Sequence, residues 1–256
     1  MDVKGEHMNK TIAIVTGASS GMGQEFVLQL DTCLKSVDEI WVIARREEKL
    51  RELSDKMKNI PIRIFSLDIT KELDLAVLQA ALTTECPQVR LLVNAAGVGK
   101  AGRFDEIATS DALNMVDVNC KGLIAITHTV LPYMKDKSNI IQIASASAFL
   151  PQREFAVYAA TKSMVLSFSR ALRKELNARN IIVTVVCPGP VDTEFLAISN
   201  EGKEPKLLKQ FVTVEAAPVV RQALRDAKEG KELSIYGLPM KAVYIASKLF
   251  PHNWMF

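Results

Sequence analysis

TIAIVTGASSGMGQEFVLQL, residues Thr11–Leu30, opens with an apolar run at Thr11–Val15, breaks at a glycine-rich turn over Thr16–Gly23, and continues as a helical segment at Gln24–Leu30. An apolar run without polar alternation is expected of a strand covered on both faces. A glycine turn between such a strand and a helix lets backbone N–H groups and the helix N-terminus approach a pyrophosphate, where the helix dipole also favours negative charge. The glycines Gly17, Gly21 and Gly23 are spaced G-x-x-x-G-x-G, not the G-x-G-x-x-G of the commoner dinucleotide fingerprint. A tight structural loop is the plain alternative; the position after a strand and before a helix favours dinucleotide binding.

Further short apolar runs follow at Ile40–Ala44, Ile62–Leu67, Arg90–Asn94, Asn139–Ala144, Ile181–Cys187 and Leu233–Tyr236, with helical lengths between them. Such alternation argues for parallel βαβ units. The expected fold class is α/β, a doubly wound parallel sheet of about seven strands with helices on both faces. The 256 residues, 48% hydrophobic and 24% charged, suit one domain over 1–256: a core over 10–193, an irregular lid over 194–232 that carries SNEGKEPK, and a C-terminal extension over 237–256.

A net charge of +3 suggests no nucleic-acid surface. The cysteines Cys33, Cys86, Cys120 and Cys187 have no paired spacing, and His7, His128 and His252 lie far apart, so reduced thiols are expected and no metal site. The start, MDVKGEHMNK, lacks the apolar core of a signal peptide, and no run of eighteen apolar residues occurs, so a cytoplasmic location is expected. Met8 is a candidate natural start.

The second strand ends at Ala44, followed by Arg45 and Arg46. An acid at this place would accept from a free ribose 2′-hydroxyl, whereas guanidiniums grip a 2′-phosphate. NADP is therefore favoured over NAD. The plain alternative is a solvated helix start, its arginines paired with Glu47, Glu48 and Glu52.

The stretch NIIQIASASAFLPQREFAVYAATK, Asn139–Lys162, reads as strand, a loop broken by Pro151, and a helix from Glu154 to about Ala178. Tyr158 and Lys162, four residues apart, share a helical face. Val157, Ala160, Met164, Val165, Phe168, Ala171 and Leu172 form a stripe expected to be core or subunit contact. Hydride transfer to a ketone develops alkoxide charge on its oxygen, which needs a hydrogen-bond donor and a proton. Tyrosine near its usual pKa is a slow acid/base at neutrality, and a neighbouring ammonium is expected to bring it down.

Together these residues resemble the short-chain dehydrogenase/reductase family, and the match runs from about Lys10 to Glu194. The resemblance implies a Rossmann-type domain and a nicotinamide cofactor. It places Gly17, Ser19, Ser20, Gly21, Met22 and Gly23 in the coenzyme turn, Asp68 and Ile69 by the adenine, and Asn94, Ala95 and Gly97 in the N-A-A-G motif. Pro188, Gly189, Val191 and Thr193 match the family loop against the nicotinamide. The catalytic tetrad maps onto Asn119, Ser145, Tyr158 and Lys162, with Ser145 thirteen residues before Tyr158 and preferred to Ser147. The family further implies that Lys162 holds the nicotinamide ribose, Ser145 orients the carbonyl and Asn119 supports a water-linked relay. Structural roles stand beside these: Asp68 and Asn94 as turn caps, Asn119 as a tie between strand and helix.

The implied activity is an NADP-dependent oxidoreductase on CH–OH groups. Phe149, Phe155, Phe195, Leu196 and Phe211 supply apolar surface for a hydrophobic ketone or secondary alcohol of steroid, lipid or xenobiotic kind. The alternatives are a 3-oxoacyl-thioester reductase, disfavoured because the end of the chain lacks the V-D-G-G-like turn, and a silent NADP-binding scaffold or redox sensor. A homodimer or homotetramer is expected. The C-terminal segment, with Val243, Tyr244, Ile245, Leu249, Phe250, Trp254 and Phe256, is expected to cover the pocket, contact a subunit or rest on a membrane surface.

Overall fold

Each apolar run becomes a strand: β1 (Thr11–Thr16), β2 (Glu39–Ala44), β3 (Ile62–Ser66), β4 (Gln88–Asn94), β5 (Met134–Ile143), β6 (Ile182–Val186) and, after the short β7 (Val191–Asp192) and β8 (Val214–Glu215), β9 (Leu233–Ser234). The structure is a computed structural model that describes residues 10–195 and 213–250. Met8, His7, Leu196, Phe211, His252, Trp254, Phe256 and the SNEGKEPK stretch lie outside the described residues. One seven-stranded sheet has the order β3-β2-β1-β4-β5-β6-β9, and every pair in it is parallel. β7 and β8 form a separate parallel pair.

Strand alternation distributes the core between two layers. Ala13 and Val15 of β1 face Phe26, Val27 and Leu30 of α1 (Gly21–Cys33), Leu50 and Leu53 of α2 (Glu47–Ser54), and Val219, Val220 and Ala223 of α7 (Ala216–Lys228). Ile12 and Ile14 face the opposite layer. There they meet Leu78 and Leu82 of α3 (Glu72–Glu85), Ile126 and Val130 of α5 (Leu123–Val130), and Leu172 and Leu176 of α6 (Ala156–Leu176). The doubly wound α/β sheet with helices on both faces is the fold read from the sequence. Among the described residues no helix is long and apolar enough to cross a membrane.

Several boundaries move, for local reasons. β5 begins five residues earlier than its apolar stretch, because Met134 pairs with Val89 before a register shift seats Asn139 opposite Leu91; Lys137 takes a positive φ of 63° within that irregular part. α6 starts at Ala156 and not at Glu154, whose φ of 65° is left-handed and incompatible with a first helical turn. Its buried face also differs from the expected stripe: Tyr158, Lys162, Val165, Leu166, Ser169 and Leu172 are buried, while Ala160 and Ala171 are exposed. Between α4 (Thr109–Val116) and α5 the chain forms a wider π turn, Asp117–Gly122, which no sequence period announces. The final helix, α8 (Leu238–Leu249), packs Met240, Val243 and Tyr244 onto the cluster around Phe149 and Val165 and leaves Leu238, Ile245 and Leu249 exposed.

Candidate active site

The strand order reverses between β1 and β4, and a parallel α/β sheet opens a crevice at the carboxyl ends of its strands where this happens. A cavity of about 440 Å³ lies there, as a trough from Arg45 and Arg46 beyond β2 to Tyr158 and Lys162 on α6. Its floor is the glycine turn. Gly17 has a φ of 67°, and a Cβ there would lie 2.6 Å from the Ala96 nitrogen; a Cβ on Gly23 would lie 2.2 Å from the Gly17 carbonyl oxygen. Glycine at both places lets the turn fold tightly under α1 with its backbone facing the trough.

All the expected cofactor-binding and catalytic residues line this trough except Asn94 and Asn119. Those two stand behind its wall. Asn94 donates from Nδ2 to Thr127 Oγ1 at 2.9 Å, and its buried Oδ1 has no hydrogen-bond partner. Asn119, fully buried on the π turn, accepts from the Val98 N–H at 2.9 Å and donates to the Val98 carbonyl at 2.9 Å and to Thr161 Oγ1 at 3.0 Å. It therefore ties the loop after β4 to α6. Asp68 likewise serves its own turn, accepting from the Thr70 N–H at 3.0 Å and hydroxyl at 2.7 Å. Burial raises its pKa, but those bonds and the nearby Arg45 outweigh it and hold the carboxyl below its usual range.

At the far end Tyr158 is buried between two rings, Phe155 edge-on and Phe195 tilted, each with its centroid 5.6 Å away. Burial pushes the Tyr158 phenol up to about 12, against the lowering effect of its hydrogen bond with Ser145. Lys162 donates to the Ile143 carbonyl at 2.9 Å, sits 5.7 Å from the Tyr158 ring centre, and is brought down to about 8 by burial. The expected lowering of the tyrosine by the lysine is thus absent here: desolvation governs both groups. Ser145 caps a short 3-10 turn, its Oγ accepting from the Ser147 N–H at 3.1 Å. Both serines line the trough, and it is Ser145 that reaches Tyr158.

At the near end Arg46 reaches Ser19 Oγ at 3.3 Å and the Glu194 carboxylate at 2.9 Å. Two of the three glutamates of its own helix pair elsewhere, Glu47 with Arg51 and Glu52 with Lys49. The trough thus joins an anion-binding end to a hydroxyl-rich end, with glycine backbone between. Such an arrangement fits an extended dinucleotide.

The family model described as short chain dehydrogenase matches residues 11–204. The chain belongs to the short-chain dehydrogenase family. An uncharacterized oxidoreductase of Staphylococcus epidermidis is 31% identical over 207 residues, covering 80% of this chain and 88% of that protein. A short-chain dehydrogenase from Sphingobium yanoikuyae in complex with NADPH superposes with a TM-score of 0.79 at 23% identity, over 96% of this chain and 95% of that one. A short-chain dehydrogenase/reductase from Burkholderia phymatum in complex with NAD gives 0.79 at 20% identity, over 97% and 95%. At these identities the two structures establish the shared Rossmann-type fold.

In this short-chain dehydrogenase the trough also has walls that motif reading passed over. Gln152, Val98, Gly99 and Val118 line it, as does Glu194. Phe149, expected at the substrate side, is instead buried in the core, edge-on to Tyr244 with centroids 5.1 Å apart. α8 covers that part of the molecule: a Cβ on Gly189 would lie 2.4 Å from Met240 Sδ.

Proposed function

We propose that this short-chain dehydrogenase is an NADP(H)-dependent oxidoreductase that moves a hydride between the nicotinamide and a ketone or secondary alcohol of a hydrophobic small molecule. The observation that carries the reading is the pairing of the Tyr158 and Ser145 hydroxyls at one end of a single trough whose other end is Arg46. In it Gly17, Ser19, Ser20, Gly21, Met22 and Gly23 would hold the pyrophosphate, Arg45 and Arg46 the 2′-phosphate, and Asp68 and Ile69 the adenine. Ala95 and Gly97 would form the wall beside the ribose, and the loop of Pro188, Gly189, Val191 and Thr193 would pack on the nicotinamide, Val191 and Thr193 near its carboxamide. NADPH, when bound, supplies the hydride.

The chain's own groups manage the oxygen and its proton. Tyr158, neutral at physiological pH because its pKa lies at about 12, donates its proton to the carbonyl oxygen as negative charge develops there. Ser145 donates a second hydrogen bond to the same oxygen and fixes its direction. Lys162, at about 8, is charged at neutral pH yet close enough to its pKa to give a proton back to the Tyr158 oxygen and regain one between turnovers. Asn119 holds Val98 and Thr161 in place and so sets the position of α6. Phe155 and Phe195 flank Tyr158 and supply the apolar surface that favours a hydrophobic substrate and excludes water.

The test is a panel of steroid, lipid, aromatic and 3-oxoacyl-thioester carbonyls, and the matching alcohols, assayed with NADPH and NADH by loss or gain of reduced-nicotinamide absorbance. Turnover of apolar ketones with NADPH is expected. NADPH binding without turnover of any panel member would favour a scaffold or sensor instead.

A further inference from the structure

Three consecutive residues of this chain, Thr193, Glu194 and Phe195, touch the trough from end to end. Thr193 lies against Gly21, where an added Cβ would sit 3.2 Å from its own Cβ. Phe195 packs on Tyr158. Between them Glu194 places its carboxylate at the arginine end, 2.9 Å from Arg46 Nη2, with Ser20 and Lys49 near enough to favour its charge. These are the groups a phosphate monoester would meet: a guanidinium, a serine of the glycine turn and an ammonium.

A carboxylate and a phosphate cannot both keep that guanidinium at close range, since like charges in contact repel. A 2′-phosphate must therefore turn Glu194 aside, whereas a free ribose 2′-hydroxyl can use a carboxylate as its acceptor. Building on the NADP reading above, we infer that Glu194 sets cofactor selectivity: it is an internal carboxylate that fills the phosphate position until a 2′-phosphate displaces it, and it narrows the site's preference for NADP over NAD. Arg46 and Glu194 are about half exposed, with side-chain exposures of 42% and 48%, so removal of the glutamate charge leaves no buried orphan and permits folding.

The experiment compares wild type with Glu194→Gln by calorimetric titration of NADP+ and NAD+, without substrate or turnover. The quantity read is the ratio of the NAD+ to the NADP+ dissociation constant. Release of Arg46 from an exposed ion pair is expected to raise that ratio about fivefold, mainly through tighter NADP+. A ratio that stays unchanged or falls overturns the inference, a fall meaning that Glu194 instead holds Arg46 ready for phosphate. The NADP reading is judged separately, by whether wild type itself binds NADP+ more tightly than NAD+.

Discussion

Lys162 is a buried cation that donates to the Ile143 carbonyl, and its position has a consequence for stability. The unfolded chain holds that proton to about 10.5 and the folded chain only to about 8. Between those values the unfolded state binds more protons, so this group adds stability as pH rises, and its penalty is full below about 8. Tyr158 works the other way above pH 10, since its folded pKa of about 12 exceeds the usual 10.0. Lys162→Met should therefore gain on wild type by up to about 3 kcal/mol near neutrality, with the gap closing from about pH 8 to 10; urea unfolding across that range checks it. At Gly17, a φ of 67° and the Ala96 backbone 2.6 Å from a would-be Cβ mean that Gly17→Ala should cost about 3 kcal/mol and weaken dinucleotide binding, by melting temperature and titration. Ser145, Tyr158 and Lys162 were legible because their spacing lies within one strand–loop–helix unit. Glu194 was not, because its partner Arg46 lies 148 residues away and only the fold brings them together.

Among the elements, α1 is tied to the approach to β3 by Asp31. Its carboxylate accepts from the N–H groups of Lys58, Asn59 and Ile60 at 3.1, 2.9 and 2.8 Å. Burial raises its pKa, but these bonds prevail and hold it below the usual carboxylate value. The stability it contributes is present above about pH 4 and is lost as pH falls through the folded pKa. Asp31→Ala should cost about 3 kcal/mol at neutral pH by leaving those donors without their acceptor, and its deficit relative to wild type should shrink in acid; denaturant titrations at pH 7 and pH 3 check both. Sequence periodicity located all seven strands of the main sheet, because buried parallel strands are apolar throughout. It missed the first half of β5, MKDKS, because only Met134 of it pairs before the register shift and Lys135, Asp136 and Lys137 are exposed and polar. It missed the π turn because Asn119 is held there by long-range bonds to Val98 and Thr161.

At the scale of the molecule, the self-association expected from the sequence has candidate contact residues. Leu113 on α4, Ile124 on α5, and Ala160 and Ala171 on α6 are exposed, and α4 packs against α6. If Ile124 joins subunits, Ile124→Glu should shift sedimentation velocity toward monomer, and an unchanged profile would exclude Ile124 from any such contact. Cofactor choice is a property of the whole trough: Arg46→Ala should weaken NADPH by about tenfold and NADH by less than about twofold, read by fluorescence titration. Equal losses would assign the arginine to folding. The most direct measurement is turnover and NADPH affinity of Tyr158→Phe against wild type on one apolar ketone. A fall in kcat of about a hundredfold or more with NADPH affinity retained is the expected result; full turnover by Tyr158→Phe would contradict the acid/base role placed on that hydroxyl.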